Sequence, residues 1–286
     1  MRASASLDWV IGADSPGFER LGYISLVARA PTHRFVIPMT EVFAEAFTVS
    51  FIYAAVVFAV AGVMHGYTGG FGSGLFAVPL LALLFGPVGG IAVGSLTSLL
   101  GSAQLVPAAM RLVSWRHMAP LMIAQMAMVP LGAALLVSMD PTLVRRIIGV
   151  LVLLSGILLA TGWTYHGRRG PLMRVTAGGI AGFMGGIAGI TGPVLVAYFL
   201  SAPERPELQR ARIVLAVFAG LIMVQASLLV AGGAGAVSIT RSLALAPLFM
   251  ATTWFGTRLF ARAPITWFRK VSLVMLFASG AAALLI

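Results

Sequence analysis

The chain predicts an all-α, polytopic integral membrane protein arranged as two repeated, inverted halves with glycine-rich broken or re-entrant helices. Three observations lead there. Of its 286 residues 59% are hydrophobic and 9% charged, where a soluble domain has about a quarter charged. Apolar runs recur along most of the chain, about 8–10 segments in all, without the alternation of an outer-membrane barrel. A glycine-rich stretch also occurs twice inside apolar sequence, as GVMHGYTGGFGSGLFAVP over 62–79 and GGIAGFMGGIAGITGPVLV over 178–196.

Charge and cysteine content narrow the class. A net charge of +11 would suggest nucleic acid in a soluble protein. Here Lys and Arg fall in short loops between apolar runs, the positive-inside signature. The lipid bilayer of the cell (inner) membrane is therefore the expected partner, and nucleic acid is not. There are no cysteines, which excludes disulfides and thiolate nucleophiles.

Residues 1–44 form a polar tail that mixes Arg2, Arg20, Arg29 and Arg34 with Asp8, Asp14 and Glu19. It has no apolar core for a signal peptide; a disordered cytoplasmic or periplasmic tail and an over-called start before Met39 explain it equally well. The first transmembrane repeat takes 45–163. Segment a runs Phe47–Thr68 and b Gly74–Phe85; c, Val88–Met110, follows Gly86-Pro87. After a loop with Arg111 and Arg116 come d, Met118–Ser138, an Asp140-Pro141 turn, and e, Leu143–Gly162. A basic linker, 164–174, carries Arg168, Arg169 and Arg174. The second repeat, 175–286, places a′ at Val175–Ile187, b′ at Pro193–Ser201, c′ at Ile213–Val230, d′ at Leu243–Leu259 and e′ at Trp267–Ile286. A polar loop, 202–212, precedes c′. Trp163, Trp254 and Trp267 suit interface anchors.

The repetition shows in small matches. Gly66, Gly69 and Gly70 align with Gly182, Gly185 and Gly186; Gly132, Arg145-Arg146 and Gly156 align with Gly256, Arg269-Lys270 and Gly280. With the basic linker in the cytoplasm, Arg258, Arg262, Arg269 and Lys270 are also cytoplasmic only if a′ and b′ together return the chain to its starting side. Each a–b pair then contributes two spans or one re-entrant hairpin, and the halves are inverted.

Hydrocarbon cannot satisfy the backbone groups freed by a break, so each break must be buried in protein or line a polar cavity. Paired breaks in corresponding places of two halves point to a transporter binding site. Ser73 and Thr191 stand where N-caps would, and Pro193 where the first helical residue would. A helix start offers free N–H groups and a partial positive charge, which suits a small anion without a fixed cation. The candidate substrate-binding residues are Thr68, Gly69, Gly70, Gly72, Ser73, Gly74, Gly186, Gly189, Thr191, Gly192, Pro193 and Tyr198. His65 is a candidate for proton coupling; a hydrogen-bonded interior histidine is the plainer alternative. Glycine at every fourth position, Gly62 to Gly74 and Gly178 to Gly186, also fits close helix packing. Tyr67, Ser95, Thr97, Ser98, Gln104, Gln125 and Gln225 are expected as contacts between helices.

The eight Asp and Glu lie in the tail, at Glu41 and Glu45, or in loops (Asp140, Glu204, Glu207). A cation carrier needs intramembrane acids, so cationic substrates and carboxylate proton coupling are disfavoured. No catalytic acid pair, metal-ligand spacing or nucleophile–base motif is visible, so no enzyme, metal or cofactor is called for.

Gly70-Phe-Gly-Ser-Gly74 followed by Phe76-Ala-Val-Pro79-Leu, Ser114-Trp-Arg-His-Met-Ala-Pro120-Leu, and the run from Gly182 to Gly192-Pro193 together resemble the TauE/SafE family of sulfite and organosulfonate exporters. The resemblance covers roughly residue 50 to the C-terminus. It implies a multispanning inner-membrane permease for small anions, commonly oxidised sulfur species or sulfonates. The family usually has three glycines where this chain has Gly72-Ser73-Gly74, so Ser73 adds a hydroxyl. The sequence thus predicts a secondary transporter, exporter-like, of a small anion, and leaves room for a homo-oligomer. The alternatives are a passive anion channel on the same scaffold and a non-transporting membrane scaffold or enzyme.

Overall fold

A computed structural model of the protein describes residues 39–162, 167, 170–201 and 204–260. Residues 1–38 of the tail, segment e′, Arg168 and Arg169 of the basic linker, Trp163, Arg262 and Trp267 lie outside the described residues. Within them the chain is helical, with no strand. The helices are α1 (Met39–Ala46), α2 (Val49–Thr68), α3 (Phe71–Phe85), α4 (Pro87–Ala103), α5 (Val106–Met110), α6 (Trp115–Ser138), α7 (Pro141–Thr161), α8 (Pro171–Ala188), α9 (Gly192–Phe199), α10 (Pro206–Val230) and α11 (Ala236–Phe260). Five of them, α2, α6, α7, α10 and α11, are long and apolar enough to cross a membrane. The protein is a multi-pass membrane protein.

Local chemistry explains most boundaries. α2 stops where Gly69 takes φ 80°, and α3 starts from Gly70 at φ 109°. A side chain would be strained at either position. α8 ends in the same way at Gly189, φ 66°. α7 starts at Asp140, whose Oδ1 accepts from the N–H groups of Thr142 (2.8 Å) and Leu143 (3.3 Å). Several elements differ from the expected segments: α11 starts at Ala236, not Leu243, and α8 at Pro171, not Val175. α1 was not foreseen. Segment c is two helices, because the chain leaves the helix at Gln104 and Leu105 before Pro107 opens α5. α3 begins three residues before Gly74. α10 begins at Pro206 rather than Ile213, since Pro suits the first turn and Glu207 the positive end of the helix. Arg210 and Arg212 are thereby helical, not in a loop.

α3 turns back along α2: its Ala77 and Leu81 share a core cluster with Ala54, Phe58 and Ala61 of α2, and with Leu245 and Phe249 of α11. The closest packing joins α8 to α6 and α2 to α11, through glycines. A Cβ on Gly182 would overlap the Gln125 carbonyl, one on Gly186 the Val129 carbonyl, and one on Gly132 the Phe183 carbonyl. On the other side, a Cβ on Gly62 would lie 3.0 Å from the Phe249 carbonyl oxygen; one on Gly66 would overlap the Thr253 carbonyl, and one on Gly256 the Val63 carbonyl. Gly62, Val63 and Gly66 thus hold the places of Gly182, Phe183 and Gly186. Gln125, Val129 and Gly132 hold those of Phe249, Thr253 and Gly256. Gly69 then corresponds to Gly189, both left-handed helix ends, one turn from the alignment with Gly185 that glycine spacing alone suggests.

The charged ends segregate. His117, Arg174, Glu204 and Arg212 surround one pocket, which brings the starts of α6, α8 and α10 together. Arg210 donates to the Gly66 carbonyl at 2.5 Å, which brings the end of α2 there too. At the opposite end Arg241 donates to the carbonyls of Glu45 (2.6 Å) and Ala46 (3.3 Å) and stacks on Phe85.

Candidate functional site

The two helix breaks meet. A Cβ on Gly74 would be 3.1 Å from the Gly189 carbonyl oxygen, and one on Gly192 would collide with Phe71. Glycine at these positions is what lets the start of α3 and the start of α9 share one wall. Between them lies a cavity lined by Gly70, Phe71, Ser73 and Gly74 of the first break and by Gly189, Ile190, Thr191 and Gly192 of the second. α4 adds Ile91, Gly94, Ser95 and Ser98, and α10 adds Val217 and Leu221. Its free space is about 20 Å³, enough for about one water. No ionisable side chain is among the described residues that line it.

Its polar groups are in different states. Ser73 is not an N-cap; it lies inside α3, and its Oγ is 2.6 Å from His65 Nδ1. His65 is fully buried, its Nε2 is 2.7 Å from Ser102 Oγ, and its ring meets Phe249 edge-on. In a neutral imidazole one nitrogen donates and the other accepts, and the two hydroxyls can rotate to suit either tautomer. Ser95 donates to Gln225 Oε1 at 2.9 Å. Thr191 begins α9 but makes no side-chain capping bond. That leaves the first-turn N–H groups of α9 without a side-chain partner. Ser98 and Thr191 line the cavity with hydroxyls that have no hydrogen-bond partner among the described residues.

Six of the sequence-derived candidates line this cavity: Gly70, Ser73, Gly74, Gly189, Thr191 and Gly192. The others are placed elsewhere. Thr68 secures the first break, accepting from the Gly72 N–H at 3.1 Å and donating to the Met64 carbonyl at 2.7 Å. Gly72 packs on that threonine, and Gly69 on Arg210 and Val214. Gly186 lies within α8 against α6. Pro193 is buried in the first turn of α9. Tyr198, at the far end of α9, lines the separate pocket of about 230 Å³ with His117, Arg174, Glu204 and Arg212. His65 does not line the cavity; it lies behind Ser73, to which it is hydrogen-bonded, and Gly70.

Ser95 and Ser98 were expected as helix–helix contacts, and both stand on the cavity wall. A signal for them exists in the sequence: with Ile91 and Gly94 they follow helical i, i+3, i+4, i+7 spacing and so share one face of α4. A small cavity with hydroxyls, the uncapped start of α9 and apolar walls can hold an anion by hydrogen bonds alone. Lacking a fixed cation, it can also release it.

Residues 54–283 match the family model described as sulfite exporter TauE/SafE. No curated protein and no solved structure gave a match.

Proposed function

The chain belongs to the sulfite exporter TauE/SafE family, and from that premise we propose that it is a secondary transporter of a small oxyanion, an oxidised sulfur compound or an organosulfonate, in the cell membrane. The observation that carries this reading is the meeting of two helix breaks around a cavity that offers hydroxyls and free N–H groups but no charge. The matched contacts of α2 with α11 and of α8 with α6 support two related halves. The breaks enter from opposite ends, α2 from the end that holds Arg241 and α8 from the end that holds Arg174, which supports an inverted relation and alternating access around a shared site. Free space of about 20 Å³ is too small for a sulfur oxyanion, so the halves must part to admit one. That favours a carrier over a passive channel, which would need a continuous path.

Thermal unfolding of the purified chain with sulfite, sulfate, thiosulfate, sulfoacetate, taurine, acetate and chloride tests this. A ligand that binds only the folded form adds about 2.7 kcal/mol of stability at a hundred times its Kd. A selective shift with sulfite or one sulfonate is expected, reduced in Thr191→Val. No shift with any of these anions, or shifts indifferent to Thr191→Val, would remove the site.

A further inference from the structure

Behind the cavity wall is a polar side chain that the proposed site does not use. Gln125 of α6 has no solvent exposure, and neither its Nε2 nor its Oε1 has a hydrogen-bond partner. Its surroundings locate it. A Cβ on Gly220 of α10 would collide with Gln125 Nε2 and lie 3.3 Å from Thr191 Cγ2. The same methyl fills the space that a Cβ on Gly185 would need. Thr191 also lines the cavity, so one side chain separates the amide from it.

The amide is not explained by packing. The position equivalent to Gln125 on α11 is Phe249, which is fully buried against the His65 ring. An apolar residue therefore serves there. On the first-break side His65 is paired with Ser73 and Ser102, while the Thr253 hydroxyl has no partner among the described residues; a lone hydroxyl leaves less unmade than an amide, which has both a donor group and an acceptor. A buried amide with both its donor and its acceptor unmade is costly, and in a native protein it signals a missing partner.

We infer that Gln125 is a specificity-determining residue of the anion site, reached when Thr191 moves aside, and that it selects anions carrying both acceptor oxygens and a proton donor. The inference rests on the broken-helix site proposed above and deepens it. The Nε2–H group needs an acceptor, which any oxyanion supplies. Oε1 needs a donor, which hydrogensulfite and hydroxy- or amino-alkanesulfonates supply. Sulfate dianion, chloride and simple alkanesulfonates do not, and they would leave the carbonyl unpaired in a dry site. Loss of such a pairing is where a polar site discriminates most strongly.

The probes are isethionate and propane-1-sulfonate, monoanions of similar size that differ by a hydroxyl in place of a methyl. Titration of the purified full chain should show isethionate bound about tenfold or more tightly than propane-1-sulfonate. Q125M should bring the two within about twofold of each other, chiefly by weakening isethionate. Its unliganded form should melt at or above the wild-type temperature, because an unpaired amide has been removed. If Q125M does not fold, Q125N, which keeps the amide but shortens its reach, should lose the preference instead. A wild type without preference, or a Q125M that keeps it, overturns the inference. So does a Q125M that melts lower with its preference intact, the mark of a purely structural amide. Thr191→Val and Ser98→Ala separate the two levels. If they weaken both probes while Q125M changes nothing, only the role of Gln125 falls. If they leave both probes unaffected, the broken-helix site falls, and the role of Gln125 with it.

Discussion

Two serines of α4 show how placement decides what a hydroxyl does. Ser102 is buried against His65 Nε2 and does not line the cavity, whereas Ser98 lines it and has no partner among the described residues. Ser102→Ala leaves a ring nitrogen unpaired and should cost about 1–3 kcal/mol of stability, with anion affinity unchanged. Ser98→Ala should change stability by less than about 0.5 kcal/mol and weaken anion binding by about two- to tenfold, the equivalent of one ordinary hydrogen bond. Thermal unfolding and titration on the same samples check both. Asp140 gives the pH-dependent case, outside the membrane-spanning helices. The side-chain hydrogen bond with Thr142, then the N–H groups of Thr142 and Leu143, hold its carboxyl below the usual carboxylate range. A carboxyl depressed in the folded state stabilises above its unfolded pKa, and the contribution is lost as pH falls through the folded value. Acidification should therefore lower the melting temperature of wild type by a small increment that is missing in Asp140→Asn.

At the scale of helices, neighbouring glycines of α8 have opposite roles. A Cβ on Gly182 would overlap the Gln125 carbonyl; one on Gly179 would meet only Met128 Cγ, at 3.6 Å. Gly182→Ala should destabilise by about 1–3 kcal/mol through overpacking. Gly179→Ala should be neutral or stabilising by up to about 1 kcal/mol through helix propensity. Unfolding in detergent at matched concentration compares the two. The four-residue spacing of Gly178, Gly182 and Gly186 was legible in the sequence as a packing face, but its partner was not. That partner, α6, lies across the basic linker, and spacing along one helix carries no information about which other helix it meets. The second break was legible too, between Ile187 and Pro193. Its register was one turn out because the Gly185-Gly186 doublet resembles Gly69-Gly70. What distinguishes them is tertiary: Gly186 fits under the Val129 carbonyl, and the left-handed turn falls to Gly189. Arg210 was hidden for a related reason. The Gly70 N–H bonds to the His65 carbonyl, so the Gly66 carbonyl accepts from Arg210 instead. That need arises only from the geometry of the break.

Across the whole molecule, the sorting of charge to two ends connects the fold to its orientation in the membrane. Arg111 and Arg116 flank the start of α6, and Arg174 and Arg212 line the pocket at the same end. Arg258 lies in the last turn of α11, whose Thr257 shares the Gly66 carbonyl with Arg210. Asp140, Arg145 and Arg146 stand at the other end with Arg241. By the positive-inside rule, the excess of cations at the first end predicts that it faces the cytoplasm. The chain has no cysteine, so single-cysteine variants report without background. Ser138 and Ser114, at the two ends of α6, are both exposed. With a membrane-impermeant maleimide on intact cells, Ser138→Cys should label at once, and Ser114→Cys only after permeabilisation. The reverse pattern would invert the orientation while leaving the fold untouched. Equal labelling of both in intact cells would mean that α6 does not separate two compartments, and alternating access between the two breaks would have no membrane to act across.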